Sequence, residues 1–238
     1  MLGFLLAPLA GLGAHGMDWR HATLSQQDWM AIATSLLGGA AAMVVIILAG
    51  MPLAFYLARA QGRLVLLAEA VVLVPMLMPT LALGILLAAV YGPAAPLGRG
   101  FAAIGIMLTN TPAAFVLATV YAALPTYIIA ARGALGQVSP EYEALARTLG
   151  DTPLRARLRV TLPLARRGLS AALALAWARA LGEFGIILIV AYYPAGMPVQ
   201  LWTDVQDLGL QAVFPLVTVF LLATLPVPLW LSLRARQP

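Results

Sequence analysis

Five apolar segments, each long enough to cross a lipid bilayer, fill most of this chain between positions 31 and 233. A helix needs ~20 predominantly apolar residues to traverse ~30 Å of hydrocarbon. Residues 31–58, 64–91, 102–123, 169–191 and 212–233 all qualify, and the third stays apolar to position 131. Lipid offers the backbone no hydrogen-bond partner, so segments of this kind form helices. The chain is 62% hydrophobic and 10% charged, where a soluble domain carries ~25% charged residues. The expected fold class is an all-α membrane protein, a polytopic helical bundle. Residues 1–14 are apolar but short, and they lack the basic start of a signal peptide. They read as a shortened first membrane helix. The expectation is five full transmembrane helices plus a short N-terminal sixth, in one domain over residues 1–238.

Charge placement orients the bundle. All 14 basic residues are arginine, and the net charge is +5. Cytoplasmic loops are enriched in Lys and Arg. Arg59 and Arg63 follow the first full span. Arg132, Arg147, Arg155, Arg157, Arg159, Arg166 and Arg167 lie between the third and fourth, and Arg234 and Arg236 lie at the end of the chain. Alternating spans put all of these on one side. Arg20 and Arg99 fall on the other, with Asp18, Asp28, Asp204 and Asp207. The 133–167 loop and the C-terminus are therefore expected in the cytoplasm of a multi-pass plasma (inner) membrane protein. Residues 18–29, 92–100 and 192–211 are expected to face outward. The charge reads as topology, not as nucleic-acid binding. There is no cysteine, so disulfides and thiolate metal sites are excluded. His15 and His21 suggest no metal cluster. Without lysine, the chain carries no phosphate-binding loop of the Gly-Lys type. No catalytic or cofactor-binding constellation appears.

The longest polar stretch is 140–163, PEYEALARTLGDTPLRARLRVTLP. Ser139 is a helix cap with Pro140 in the first turn, and Glu141 and Glu143 lie near the positive helix end. Glu143 and Arg147 have the spacing of a helical ion pair, worth about 0.3 kcal/mol. Gly150 closes this helix, Asp151 or Thr152 caps the next, and Pro153 opens it. The second helix is expected to stop at Leu162-Pro163. The bland reading is an amphipathic linker on anionic headgroups.

The spacing of Gly150, Val160, Leu162 and Pro163 resembles the cytoplasmic signature of ABC importer permeases: a Glu-Ala-Ala triplet, a glycine, then an aliphatic residue and Leu-Pro. The triplet departs, with Ala144, Leu145 and Ala146 in its place and Glu143 one position early. The resemblance implies a type I ABC importer permease fold. It also implies that Glu143, Ala144, Leu145, Ala146, Gly150, Asp151, Pro153, Val160, Leu162 and Pro163 couple the chain to an ATPase. The implied partners are a second permease copy (a homodimer), two ABC ATPase subunits that hold ATP and Mg, and an external substrate-binding protein.

Two charges lie inside the fourth span. Arg179 and Glu183 are four residues apart, so they share a helix face, and isolated charges in hydrocarbon must pair. Gly182 and Gly185 beside them permit close helix approach or a local break. Glu69, the remaining acid within a span, reads as structural. Asn110 and Thr111 precede Pro112 inside the third span. They either satisfy backbone groups freed by the proline or line a path. ARALGEFG followed by AYYP at 191–194 resembles permeases for tetrahedral oxyanions, nearest the molybdate/tungstate members. Arg179, Gly182, Glu183, Gly185, Asn110 and Thr111 are the translocation-path candidates. The alternatives are a sulfate ABC permease, or an ion-coupled secondary carrier that uses Arg179 and Glu183 as a relay.

Overall fold

The computed structural model describes residues 2–16 and 24–236, which are helical or loop throughout. Asp18, Arg20 and His21, counted above in the charge and metal readings, lie outside them. In chain order the helices are α1 Leu2–Gly16, α2 Gln26–Arg59, α3 Arg63–Leu77, α4 Thr80–Tyr91, α5 Pro96–Ala103, α6 Pro112–Gly136, α7 Pro140–Thr148, α8 Pro153–Ala156, α9 Leu162–Leu181, α10 Gly185–Val190, α11 Met197–Leu208, α12 Phe214–Thr224 and α13 Pro226–Arg236. A π-turn, Arg157–Thr161, joins α8 to α9, and a 3-10 turn, Leu210–Val213, precedes α12.

α2, α6 and α9 form the centre. α2 begins with a reciprocal cap: the Asp28 backbone N–H donates to Ser25 Oγ at 3.1 Å, and the Ser25 N–H donates to Asp28 Oδ2 at 2.7 Å. Two of the four orphan N–H groups at the helix start are satisfied this way. The seam between the three helices is built from small side chains, with Ala42, Ala54, Ala123, Ala131, Ala172 and Ala176 all buried. Lipid tails supply no hydrophobic drive between helices, so close backbone approach through small residues is what holds them. Ile46 and Tyr127 fill the remaining space.

Prolines and glycines reshape the other expected spans. The 64–91 segment is two helices meeting at 113°. Pro79 lacks the N–H that a continuing helix needs, and Met78 before it is extended. The third span begins at Pro112, not at 102. Gly105 and Asn110 have φ of +81° and +50°, and Thr111 caps the helix that follows. This corrects the reading of Asn110 and Thr111 as lying within a helix. The fourth span is likewise not one helix: α9 ends at Leu181 and α10 resumes at Gly185. Leu162-Pro163 does not stop a helix either; α9 starts there. The π-turn lets the chain pass Pro163 without a break, with the Leu162 N–H reaching Arg157 O.

By length and composition α2, α6 and the stretch Leu210–Leu231 suffice to cross a membrane, and the bent α3–α4 pair makes a fourth crossing if it is one span. α1 is 15 residues, about 22 Å long, and packs on α12.

Candidate functional site

The polar stretch folds as a helix–glycine–helix projection. Ser139 caps α7 as expected, its Oγ accepting from the Glu141 N–H at 3.3 Å. At the other end the Gly150 N–H reaches Arg147 O and the Asp151 N–H reaches Ala146 O, both at 3.1 Å. These are the two bonds of a Schellman cap, which places Gly150 in the left-handed region, at φ +98°. Thr152, not Asp151, caps α8, while Asp151 pairs with Arg159 at 3.3 Å. Tyr142, Leu145, Leu149, Leu154 and Leu158 are exposed, Leu149 to 82%. Arg147, Arg155 and Arg159 are exposed among them. The projection thus presents an apolar patch rimmed by charge.

Glu143 does not belong to that exposed face. Its side chain is 17% exposed and pairs with Arg59 rather than Arg147. Arg59 Nε and Nη2 donate to Glu143 Oε1 at 3.2 and 2.9 Å, and Thr161 Oγ1 donates to the same oxygen at 2.7 Å. The expected Glu143–Arg147 pair is thus replaced, because helix packing brings a better-placed guanidinium from α2. Burial pushes the Glu143 carboxyl up. The Thr161 and Arg59 hydrogen bonds, with the Arg59 and Arg157 charges, outweigh it and hold the group below its usual value.

The second candidate region is the break between α9 and α10. Glu183 is buried, and its two oxygens do different work: Oε2 accepts from Arg179 Nη1, and Oε1 accepts from the Ile186 N–H at 2.7 Å. The pair spans the gap and supplies the start of α10 with an acceptor, the role of an N-terminal cap. Gly185 packs on the first turn of α4. A Cβ there would collide with Thr80 Oγ1 and stand 2.9 Å from the Leu81 nitrogen. The two chain breaks, at 78–79 and 182–184, therefore meet. At the far end of α10 the Asn110 N–H donates to Val190 O at 2.9 Å, and the Tyr193 N–H reaches Asn110 Oδ1 at 3.4 Å. Thr111 Oγ1 accepts from the Ala114 N–H at 3.2 Å. Arg179 and Glu183 are thus separated from Asn110 and Thr111 by the length of α10, about 9 Å.

A groove of about 710 Å³ runs beside the first half of α2, bounded by Pro112, Phe115, Val116 and the Tyr193–Ala195 turn. No residue lining it is charged.

Residues 47–233 match the family of binding-protein-dependent transport system inner membrane components. The chain belongs to this family. It is 38% identical over 191 residues to a probable molybdenum ABC transporter permease protein of Haloferax volcanii, covering 79% of this chain and 69% of that one. A molybdenum transport system permease protein of Mycobacterium tuberculosis is 37% identical over 193 residues, covering 79% and 72%. A molybdate/tungstate transport system permease protein of Pyrococcus abyssi is 30% identical over 210 residues, covering 87% and 79%. In structure the chain superposes on a subunit of a bacterial alginate ABC transporter, crystallised with its pentasaccharide-bound periplasmic protein. The TM-score is 0.78 at 15% identity, over 99% of this chain and 89% of that one. That likeness shows the fold, a type I importer permease.

In this inner membrane component the sequence-derived coupling residues separate into two sets. Ala144, Leu145, Gly150, Pro153 and Pro163 are exposed, while Ala146 is buried and Glu143, Asp151, Val160 and Leu162 are half-buried. Arg59, Thr161 and Thr80 are structural partners that sequence reading did not single out. Arg59 served as a topology signal and not as a partner of Glu143, and nothing beside Thr161 marks its contact with a residue 18 positions away. Glu69 pairs with Arg132 at 2.7 Å, the structural role expected of it.

Proposed function

We propose that this chain is the membrane-spanning subunit of an ATP-driven importer for a tetrahedral oxyanion, molybdate or tungstate. The observation that carries the mechanism is the leucine-rich face of the 140–161 projection, which stays exposed among the described residues. The relatives named above support the cargo. A separate ATPase, which holds ATP and magnesium, docks on that face. Two copies of the chain form the pathway, and an external binding protein delivers the anion to the opposite side. The arginine-rich loops and the C-terminus lie in the cytoplasm. Closure of the ATPases moves the two projections and so rocks the helices that follow them.

Arg179, Gly182, Glu183 and Gly185 shape the pathway at the paired breaks. Irregular backbone within a membrane is tolerated where it borders a cavity or lies buried in protein. Asn110 and Thr111 set the other end of α10. The Glu183 carboxylate is consumed by Arg179 and the α10 backbone, which disfavours an ion relay through this pair.

Reconstitution into proteoliposomes with the partner ATPase and binding protein tests the reading. Labelled molybdate is expected to accumulate only with ATP and to be displaced by tungstate. Uptake without ATP that collapses with the ion gradient would replace this reading with a secondary carrier. Displacement by sulfate as strong as by tungstate would move the cargo to sulfate.

A further inference from the structure

The docking projection is attached to the rest of the chain at more than its two covalent ends. Arg59, the last residue of α2, makes three hydrogen bonds outside its own helix. Two go to Glu143 on α7, and the third runs from Nη1 to the carbonyl of Val138, just past the end of α6, at 2.9 Å. Thr161, fully buried in the π-turn, donates to the same Glu143 oxygen. One carboxylate oxygen therefore receives donors from the end of α2 and the root of α9, while the guanidinium also holds the exit of α6. One turn earlier on α2, the Phe55 ring lies 5.8 Å beneath the Arg157 guanidinium of the same π-turn.

This is not an ordinary surface ion pair. Exposed pairs of long side chains contribute about 0–1 kcal/mol because both partners stay free to move in water. Here Arg59 and Glu143 are 19% and 17% exposed, and the fork of the guanidinium is shared between two elements, a geometry that lysine lacks. α2 is one helix of 34 residues that continues through Pro52, about 51 Å long. The node lies at one end. Near the other, residues 27–41 form one wall of the 710 Å³ groove.

We propose that Arg59 is a positioning residue of the coupling step. It makes α2 move with the projection, so that force applied at α7 reaches the outer half of the bundle through α2 as well as through α9. Glu143 and Thr161 complete the node, and Glu143 serves it from inside instead of contacting the ATPase. The proposal rests on the docking role given to the projection above.

The test uses the full permease–ATPase complex in lipid nanodiscs and proteoliposomes, comparing Arg59→Leu, Glu143→Leu, the double variant, Arg59→Lys and Thr161→Val. The readout is anion taken up per ATP hydrolysed, with ATPase co-purification measured alongside. Arg59→Leu and Glu143→Leu are each expected to retain the ATPase and its hydrolysis while uptake per ATP falls roughly tenfold. The double variant is expected to lose no more than either single one, because partners in one node are not additive. Arg59→Lys is expected to recover part of the loss, and Thr161→Val to show a smaller loss with an intact fold. If the Arg59→Leu permease itself fails to fold, Arg59→Lys combined with Thr161→Val gives the same comparison. Unchanged uptake per ATP, additive losses, or release of the ATPase by Arg59→Leu would each overturn the proposal. Absence of the ATPase from the unsubstituted protein would instead overturn the docking role itself.

Discussion

At Gly150 no neighbour stands within 4 Å of where a Cβ would be. The demand for glycine there comes from its φ of +98° alone. Gly185 is the opposite case, where space alone is limiting against Thr80 and Leu81. The two substitutions should therefore fail differently. Gly150→Ala is expected to cost about 1–2 kcal/mol from left-handed strain, with Gly150→Asn milder, and thermal unfolding in detergent measures both. Gly185→Ala is expected to cost about 1–3 kcal/mol through overpacking, and Thr80→Ala, which removes the colliding Oγ1, should relieve it only in part, because the Leu81 nitrogen at 2.9 Å remains in the way. Glu143 adds a pH dependence. Its folded carboxyl sits below the ordinary value, so its contribution to stability is present above that value and is lost as pH falls through the lowered one. Glu143→Gln should flatten the acid limb of a stability–pH curve measured by thermal unfolding.

Among the elements, the stitched break between α9 and α10 carries the sharpest expectation. Glu183 is 1% exposed and holds both Arg179 and the first turn of α10. Removing it with Glu183→Ala leaves the buried Ile186 N–H without its acceptor and frees Arg179, itself 34% exposed, to turn toward water, expected to cost about 1–3 kcal/mol. Glu183→Gln keeps an acceptor for the Ile186 N–H and should lose less; unfolding of the two variants side by side checks the order. α11 offers a pH effect of opposite sign to that of Glu143. Burial and the neighbouring Asp28 carboxyl push Asp204 up, although Gln200 donates to it at 2.8 Å. A raised carboxyl favours its protonated form in the folded state. Its contribution is therefore full below the ordinary aspartate value and fades as pH rises through the raised one. Asp204→Asn is expected to remove that decline, measured as thermal stability from pH 4 upward.

For the whole molecule, the arginine asymmetry predicts sidedness. The chain has no cysteine, so single cysteines report cleanly. Leu145→Cys and Trp202→Cys, both at exposed positions, should react with an impermeant maleimide from opposite faces of the membrane. Reaction from the same face would reverse the topology argued from charge. Hydrophobic run length and arginine placement were enough to read a helical membrane bundle, because lipid forces every backbone group into a helix and offers charge no other refuge. The Ser139 cap, the Gly150 elbow and the Arg179–Glu183 pair were legible too, since each depends on residues within a few positions of one another. Where the chain bends depended on more. Pro79 breaks a span by 113° while Pro163 is carried through on a π-turn in the first turn of α9, a difference that the residues beside each proline do not announce. The meeting of the two breaks at Gly185 and Thr80, and the choice of Arg59 over Arg147 as the partner of Glu143, join residues far apart in sequence. Local spacing is blind to such contacts. Only the packing of α2, α4, α7 and α10 in three dimensions brings those side chains within reach, and it is there that a charge read as topology becomes part of a mechanical joint.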